Sequence, residues 1–240
     1  MHNMKHATIF YRSEFAPDDE VVPGVKFGRP EWVPSPAFWA ERALQEGPFA
    51  ENYVSPTGTP LVEDVVFCLL GGYGVKMEIN RAAWNRLKRA DVLAPQSSPS
   101  AEEIELLLRK PLSVAGRQVR YRFPRQRAAR VAAAIAFLGS RTFSTEAPLE
   151  LRSELMSLPG VGPKTASWIV RNWTGSNEVA ILDIHVLRAG QIIGLFPTQV
   201  TLPRDYQSLE MRFLEFASAL QVPASLLDAL MWREMRTLTR

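Results

Sequence analysis

Apolar side chains return every three to four positions along most of this chain, the period of helices that bury one face. Ser35-Pro36 starts the first helix, with serine as cap and proline in the first turn, and FWAERALQ runs on to a stop at Gly47. After a loop over 48–58, Thr59-Pro60 opens LVEDVVFCLL, which ends in Gly71-Gly72-Tyr73-Gly74 before INRAAWNRLKRA resumes helical spacing. Ser100 and Glu103 predict a capping box ahead of IELLLR. Residues 128–138, 149–157 and 164–173 continue the pattern, and TLPRDYQSLEMRFLEFASAL and ASLLDALMWREMRTL close it. Residues 7–33, with ATIFY, VVPGVKF and several Pro and Gly, read instead as short strands and loops. The pattern predicts a mainly α protein with a few short N-terminal strands and no internal repeat.

With 240 residues and 46% apolar content, the chain can bury a full core as one or two compact domains. Its formal net charge is only +3, but nine of the 28 Lys and Arg and none of the 25 Asp and Glu lie in 106–145. That is either a solvated charged face or a surface for phosphates, and Tyr121 and Phe123 interleave its arginines. The single cysteine, Cys68, excludes an internal disulfide and sits in an apolar run as a core residue. The first residues, MHNMKHATIFYRSEF, lack an apolar stretch of signal-peptide length, and no window approaches a membrane span. A cytoplasmic, nucleoid-associated monomer with no membrane partner is expected.

The candidate chemistry lies in residues 155–188, LMSLPGVGPKTASWIVRNWTGSNEVAILDIHVLR. Leu158-Pro159-Gly160-Val161-Gly162 separates two apolar helical runs, so its glycines sit in a tight turn that needs positive φ and close backbone approach. Amides just after such a turn lie at a helix N-terminus, where unpaired N–H groups and the helix dipole favour an anion such as a DNA phosphate. Lys164 opens the second helix, and burial of Ala166, Ile169, Val170 and Trp173 leaves its amine near the turn mouth, placed for nucleophilic work. Asp183 follows nineteen residues later, one carboxylate inside the apolar VAILDIHV. It is an N-cap for the helix carrying His185, Leu187 and Arg188, a functional carboxylate, or both. His185 is a hydrogen-bonded structural histidine or a phosphate contact.

LPGVGPKTA followed by LDIH resembles the signature of the helix-hairpin-helix (HhH-GPD) DNA glycosylase superfamily, and the resemblance spans residues 61–188. The lysine-to-aspartate gap is most similar to that of the 8-oxoguanine glycosylases with lyase activity. The resemblance implies a two-lobed helical fold: a barrel over 61–186 carrying the hairpin at about 149–173, and a discontinuous lobe from 1–60 plus 187–240. The cleft between lobes would receive a base flipped from double-stranded DNA. Lys164 becomes the Schiff-base nucleophile at C1′ and Asp183 the carboxylate that assists it. Amides of Gly160, Gly162 and Thr165, with His185, hold phosphates, and Arg122 and Arg125 extend the DNA-binding face. Tyr73 is the wedge candidate, or simply an exposed turn aromatic. Asp228 and Trp232, one turn apart on the last helix, resemble the base-binding pair of archaeal-type relatives, although terminal-helix aromatics are also ordinary core residues. Trp168 occupies a position that some relatives place against the base, where the eukaryotic branch has a small cysteine. Trp32 and Trp39 are candidates for the lobe interface.

The resemblance further implies carbonyls of Met156, Leu158 and Val161 around a sodium or potassium ion. No redox cofactor or catalytic divalent metal is expected, and with one cysteine there is no iron–sulfur cluster. Base excision repair of an oxidised purine by β-elimination is the implied activity. Two alternatives stay open: a glycosylase for another damaged or modified base, and a non-catalytic helix-hairpin-helix module that only binds DNA.

Overall fold

The computed structural model describes residues 14–46, 55–56, 58–72 and 74–238. In chain order the elements begin with β1 (Glu20–Val22), β2 (Val25–Lys26), α1 (Pro36–Glu46), α2 (Leu61–Leu70), α3 (Met77–Arg89) and α4 (Ala101–Arg109). They continue with β3 (Leu112–Val114), β4 (Arg117–Val119), α5 (Pro124–Gly139), α6 (Pro148–Leu155) and α7 (Pro163–Thr174). The chain closes with α8 (Ile184–Ile192), α9 (Tyr206–Ala219) and α10 (Ala224–Leu238). The protein is mainly helical, and among the described residues its strands form two short antiparallel hairpins.

Two compact units emerge, one from 1–53 with 177–240 and the other from 54–176. The expected lobe boundary at 186 therefore moves to 176. The reason is burial: Ala180, Leu182 and Val186 pack with Phe213, Phe216 and Leu230 in the core of the first unit, which draws Asp183 into that unit as well. At the other boundary, the Ser55 amide donates to the Asn172 carbonyl and Trp173 Nε1 donates to the Thr59 carbonyl, so 55–60 belong with the second unit.

The first unit is built around α1, α8, α9 and α10. Ser35 caps α1 as expected, its Oγ accepting from the Phe38 amide at 3.0 Å, and Pro36, Trp39, Ala40 and Ala43 form the buried stripe. Trp39 is wholly enclosed in this unit's core, whereas Trp32 is 57% exposed. Two guanidinium groups join α1 to α10: Arg42 reaches Glu234 at 2.8 Å, and Arg233 contacts both Glu46 at 2.6 Å and Glu234 at 3.0 Å. Gly190 lets the Phe196 ring lie against α8, where an added Cβ would fall 2.2 Å from the ring edge.

In the second unit α2 is central, packing against α3, α5 and α7, while α4 lies along α5. Val65, Val66, Leu69 and Leu70 from α2, Ile104 and Leu108 from α4, Val131 and Ile135 from α5, and Ile169 and Val170 from α7 are all buried. The capping box at Ser100 and Glu103 forms in both directions. Cys68 is a buried free thiol, and burial pushes its pKa well up, opposed by the charges of Arg171 and Lys164. The β3–β4 hairpin was not expected. Its two-residue turn is Ala115-Gly116 with φ of 48° and 75°, a type I′ geometry usually announced by Asn-Gly or Asp-Gly. Tyr121 is also corrected: rather than joining the basic face, it is buried, its hydroxyl donating to the Leu70 carbonyl, and burial pushes the phenol up to about 12.

Two outcomes are expected. Gly190→Ala forces Phe196 from its seat and lowers unfolding free energy by about 1–3 kcal/mol in denaturant melts. Arg233 hydrogen bonding holds Glu46 below its ordinary value of 4.5; at Glu234 burial acts upward but the bonds to Arg42 and Arg233 outweigh it. Depressed carboxyls contribute stability that is complete above the unfolded-state value and is lost as pH falls through the folded-state value. The paired Glu46→Gln and Glu234→Gln variant should therefore show a shallower stability loss below pH 4.5 than the parent, measured as Tm against pH.

Candidate active site

The segment between α6 and α7 is a type II turn. The Val161 amide donates to the Leu158 carbonyl at 3.1 Å, with Pro159 at the second position and Gly160 at the third with φ of +86°. Gly162 then stands as N-cap, and Pro163 takes the first helical position, where its missing N–H leaves nothing unsatisfied. Among the described residues the amides of Gly160, Gly162 and Thr165 donate to no protein acceptor, and both glycines are exposed. Three neighbouring unpaired donors at the start of a helix form a receptor for an anion.

Lys164 is the second residue of α7 and half-buried, while Ala166, Ile169 and Val170 face the core. Trp168, also half-buried, lies one turn along the same helix from Lys164. Met156 and Val161 carbonyls accept no backbone hydrogen bond among the described residues, and the Leu158 carbonyl carries only the turn bond. The three therefore retain free lone pairs, the donor type a monovalent cation takes.

One arginine covers this turn, and two more lie against the glycines that follow α2. A Cβ on Gly160 would fall 2.6 Å from Arg130 Nε, so the Arg130 side chain lies directly over the turn. Arg127 approaches Gly72 in the same way, and Arg122 approaches Gly74. Arg122 and Arg127 both lie over the Phe123 ring, at 4.9 and 6.0 Å from its centroid. Burial pulls the Arg127 guanidinium below the usual arginine range, with the Arg130 charge adding and Tyr121 opposing. Among the described residues no carboxylate lies within ion-pair distance of Arg122, Arg125, Arg127 or Arg130. Arg122 and Arg125 are exposed as expected. Arg127 and Arg130 were not singled out, although their spacing of three places them on one face of α5. Tyr73 lies outside the described residues.

In the first unit Asp183 is the N-cap of α8. Its Oδ1 accepts from the His185 amide at 2.9 Å and the Val186 amide at 3.0 Å, while Oδ2 accepts nothing among the described residues. Both sequence expectations are thus compatible, since one oxygen caps and the other stays available. His185 is half-buried in the first turn beside Ile184, which is 74% exposed. Asp228 has a backbone partner that the sequence does not show. It is buried, and its Oδ2 accepts from the Ile181 amide at 2.9 Å, a bond invisible in the sequence because 47 residues separate the partners. Trp232 is half-buried, with the Arg236 guanidinium 4.5 Å from its ring centroid. No group of three His, Cys, Asp or Glu suited to a metal ion occurs among the described residues.

Comparison with known proteins agrees with this geometry. Residues 48–222 match the family described as 8-oxoguanine DNA glycosylase. An 8-oxoguanine DNA glycosylase/AP lyase of Metallosphaera sedula is 32% identical over 125 residues, which are 50% of this chain and 61% of that protein. The chain thus spans less than two thirds of that relative in the alignment. The 8-oxoguanine DNA glycosylase of Thermotoga maritima superposes with a TM-score of 0.55 at 27% identity, covering 72% of this chain and 78% of that one. The Methanocaldococcus jannaschii 8-oxoguanine glycosylase/lyase, solved with 15mer DNA containing 8-oxoguanine, shares the fold with a TM-score of 0.52 at 21% identity, over 81% of this chain and 88% of that one. Carrying the LPGVGPKTA hairpin, a lysine in the first turn of α7 and an aspartate capping α8, this chain belongs to the 8-oxoguanine DNA glycosylase family of the helix-hairpin-helix type.

Proposed function

We propose that this protein is a bifunctional DNA glycosylase and AP lyase that flips 8-oxoguanine out of double-stranded DNA and excises it in base excision repair. The observation that carries the reading is the exposed, unpartnered amide set of the hairpin leading directly into Lys164. A DNA phosphate takes those amides, with the His185 side chain as a further contact, and Arg122, Arg125, Arg127 and Arg130 neutralise the backbone around it. The neutral Lys164 amine attacks C1′ of the extruded nucleotide, the C1′–N9 bond breaks, and the base leaves with that electron pair. The C1′–O4′ bond then opens, O4′ taking up a proton to become the 4′-hydroxyl, and loss of an amine proton leaves the imine. Removal of a C2′ proton then breaks the C3′–O3′ bond and releases the 3′ phosphate. Asp183, through its unengaged Oδ2, is the carboxylate that the family resemblance implies as proton acceptor, and it offsets positive charge on the sugar.

Trp168 and Trp232 supply aromatic surface for the base. Carbonyls of Met156, Leu158 and Val161 would hold a sodium or potassium ion that ties the hairpin to phosphate. No single helix among the described residues is long and apolar enough to cross a membrane. The proposed enzyme acts on DNA as a monomer.

Lys164→Gln should abolish borohydride trapping of the protein on a duplex with one 8-oxoguanine while leaving duplex binding intact. Duplex binding without cleavage by the parent would reduce the protein to a DNA-binding module, unchanged cleavage by the variant would place the nucleophile elsewhere, and base release without trapping in the parent would make it monofunctional. A panel of duplexes with single lesions, each assayed for release rate, separates 8-oxoguanine from other damaged bases. Arg130→Ala should weaken binding to all duplexes alike and make the slope of log K against log salt shallower by about 0.9, as expected for one lost phosphate contact.

A further inference from the structure

The stretch 179–183 leading to α8 has no strand partner, yet Val179, Ala180 and Leu182 are buried. Its amides must find acceptors elsewhere. Three consecutive ones do so on side chains from the C-terminal helices. The Ala180 amide donates to Glu210 Oε1 at 3.0 Å, the Ile181 amide to Asp228 Oδ2 at 2.9 Å, and the Leu182 amide to the Tyr206 hydroxyl at 3.2 Å. That hydroxyl donates back to the Ala180 carbonyl at 2.7 Å. Tyr206, Glu210 and Asp228 are themselves 2–3% exposed, so none of these bonds is shared with bulk water. The chain passes from this triple attachment into Asp183, whose Oδ1 is fixed by two α8 amides. Every rotation that would move Oδ2 is restrained from one side or the other.

We propose that Tyr206, Glu210 and Asp228 act as positioning residues that set the direction of Asp183 Oδ2. The proposal rests on the glycosylase reading of Asp183. It gives Asp228 a backbone-supporting part beside the base contact that the resemblance implies, and it gives α9 a supporting part that no residue of the motif announces. A carboxylate that must meet one proton and one developing charge loses effect with small displacements. Removing the phenol oxygen alone leaves the core volume and the aromatic ring in place.

The test uses the full chain and a duplex bearing one 8-oxoguanine under single-turnover conditions. Tyr206→Phe should lower the base-release rate by about tenfold to a hundredfold while duplex affinity stays at the parent value. In an Asp183→Asn background the same change should have no further effect on the residual rate, because it acts only through that carboxylate. Glu210→Ala should lower the rate, and Glu210→Gln, whose Oε1 still accepts from Ala180, should restore it. Should Tyr206→Phe fail to fold, the Glu210 pair decides. A parent-like rate in Tyr206→Phe overturns the proposal, as does an equal loss in both backgrounds. If Asp183→Asn alone cleaves at the parent rate, the catalytic reading of Asp183 fails instead.

Discussion

A buried peptide without a strand partner must satisfy its N–H groups or forgo the free energy of burial, and residues 179–183 meet that constraint with side chains rather than a sheet. Glu210, Asp228 and Tyr206 each take one amide, so the approach to α8 is held as firmly as a strand would be. This requirement explains features that otherwise look unrelated: an acidic residue buried in α9, another buried in α10, and a tyrosine enclosed at the start of α9. It also explains why 177–186 belongs with the C-terminal helices rather than with the helix that carries Lys164.

The second unit meets a different constraint, the close approach of like charges. Four arginines without carboxylate partners lie at or near the N-terminal half of α5, and Phe123 separates two of them by offering its ring face to both. Glycines at 72, 74 and 160 provide the clearance that these side chains occupy. Such an arrangement is stable in water and becomes favourable when a polyanion displaces counterions. Arg130, which lies over Gly160, brings one of these charges to the hairpin amides.

Helices and caps were legible because their causes are local. Ser35, the Ser100–Glu103 box and Asp183 act within four residues of themselves, and each forms as its position in the sequence predicts. The hairpin turn was legible for the same reason: Pro159-Gly160 meets the dihedral demands of a type II turn without help. The β3–β4 hairpin was not, since Ala115 gives no sign of the positive φ it adopts. Nor was the burial of Tyr121, which stands among arginines in the sequence but finds its acceptor 51 residues away.

By itself, then, the sequence determined the helical order, the glycine turn, the lysine at the start of the helix that follows it and the cap that opens α8. Tertiary structure decided that Asp228 supports the Ile181 amide, that Arg130 rather than a more exposed arginine covers Gly160, and that Asp183 shares a core with α9 and α10. Those three facts depend on contacts between residues tens of positions apart. Periodicity and capping report only the first few neighbours of a residue, whereas the partner of a buried polar group is chosen by which distant element packs over it.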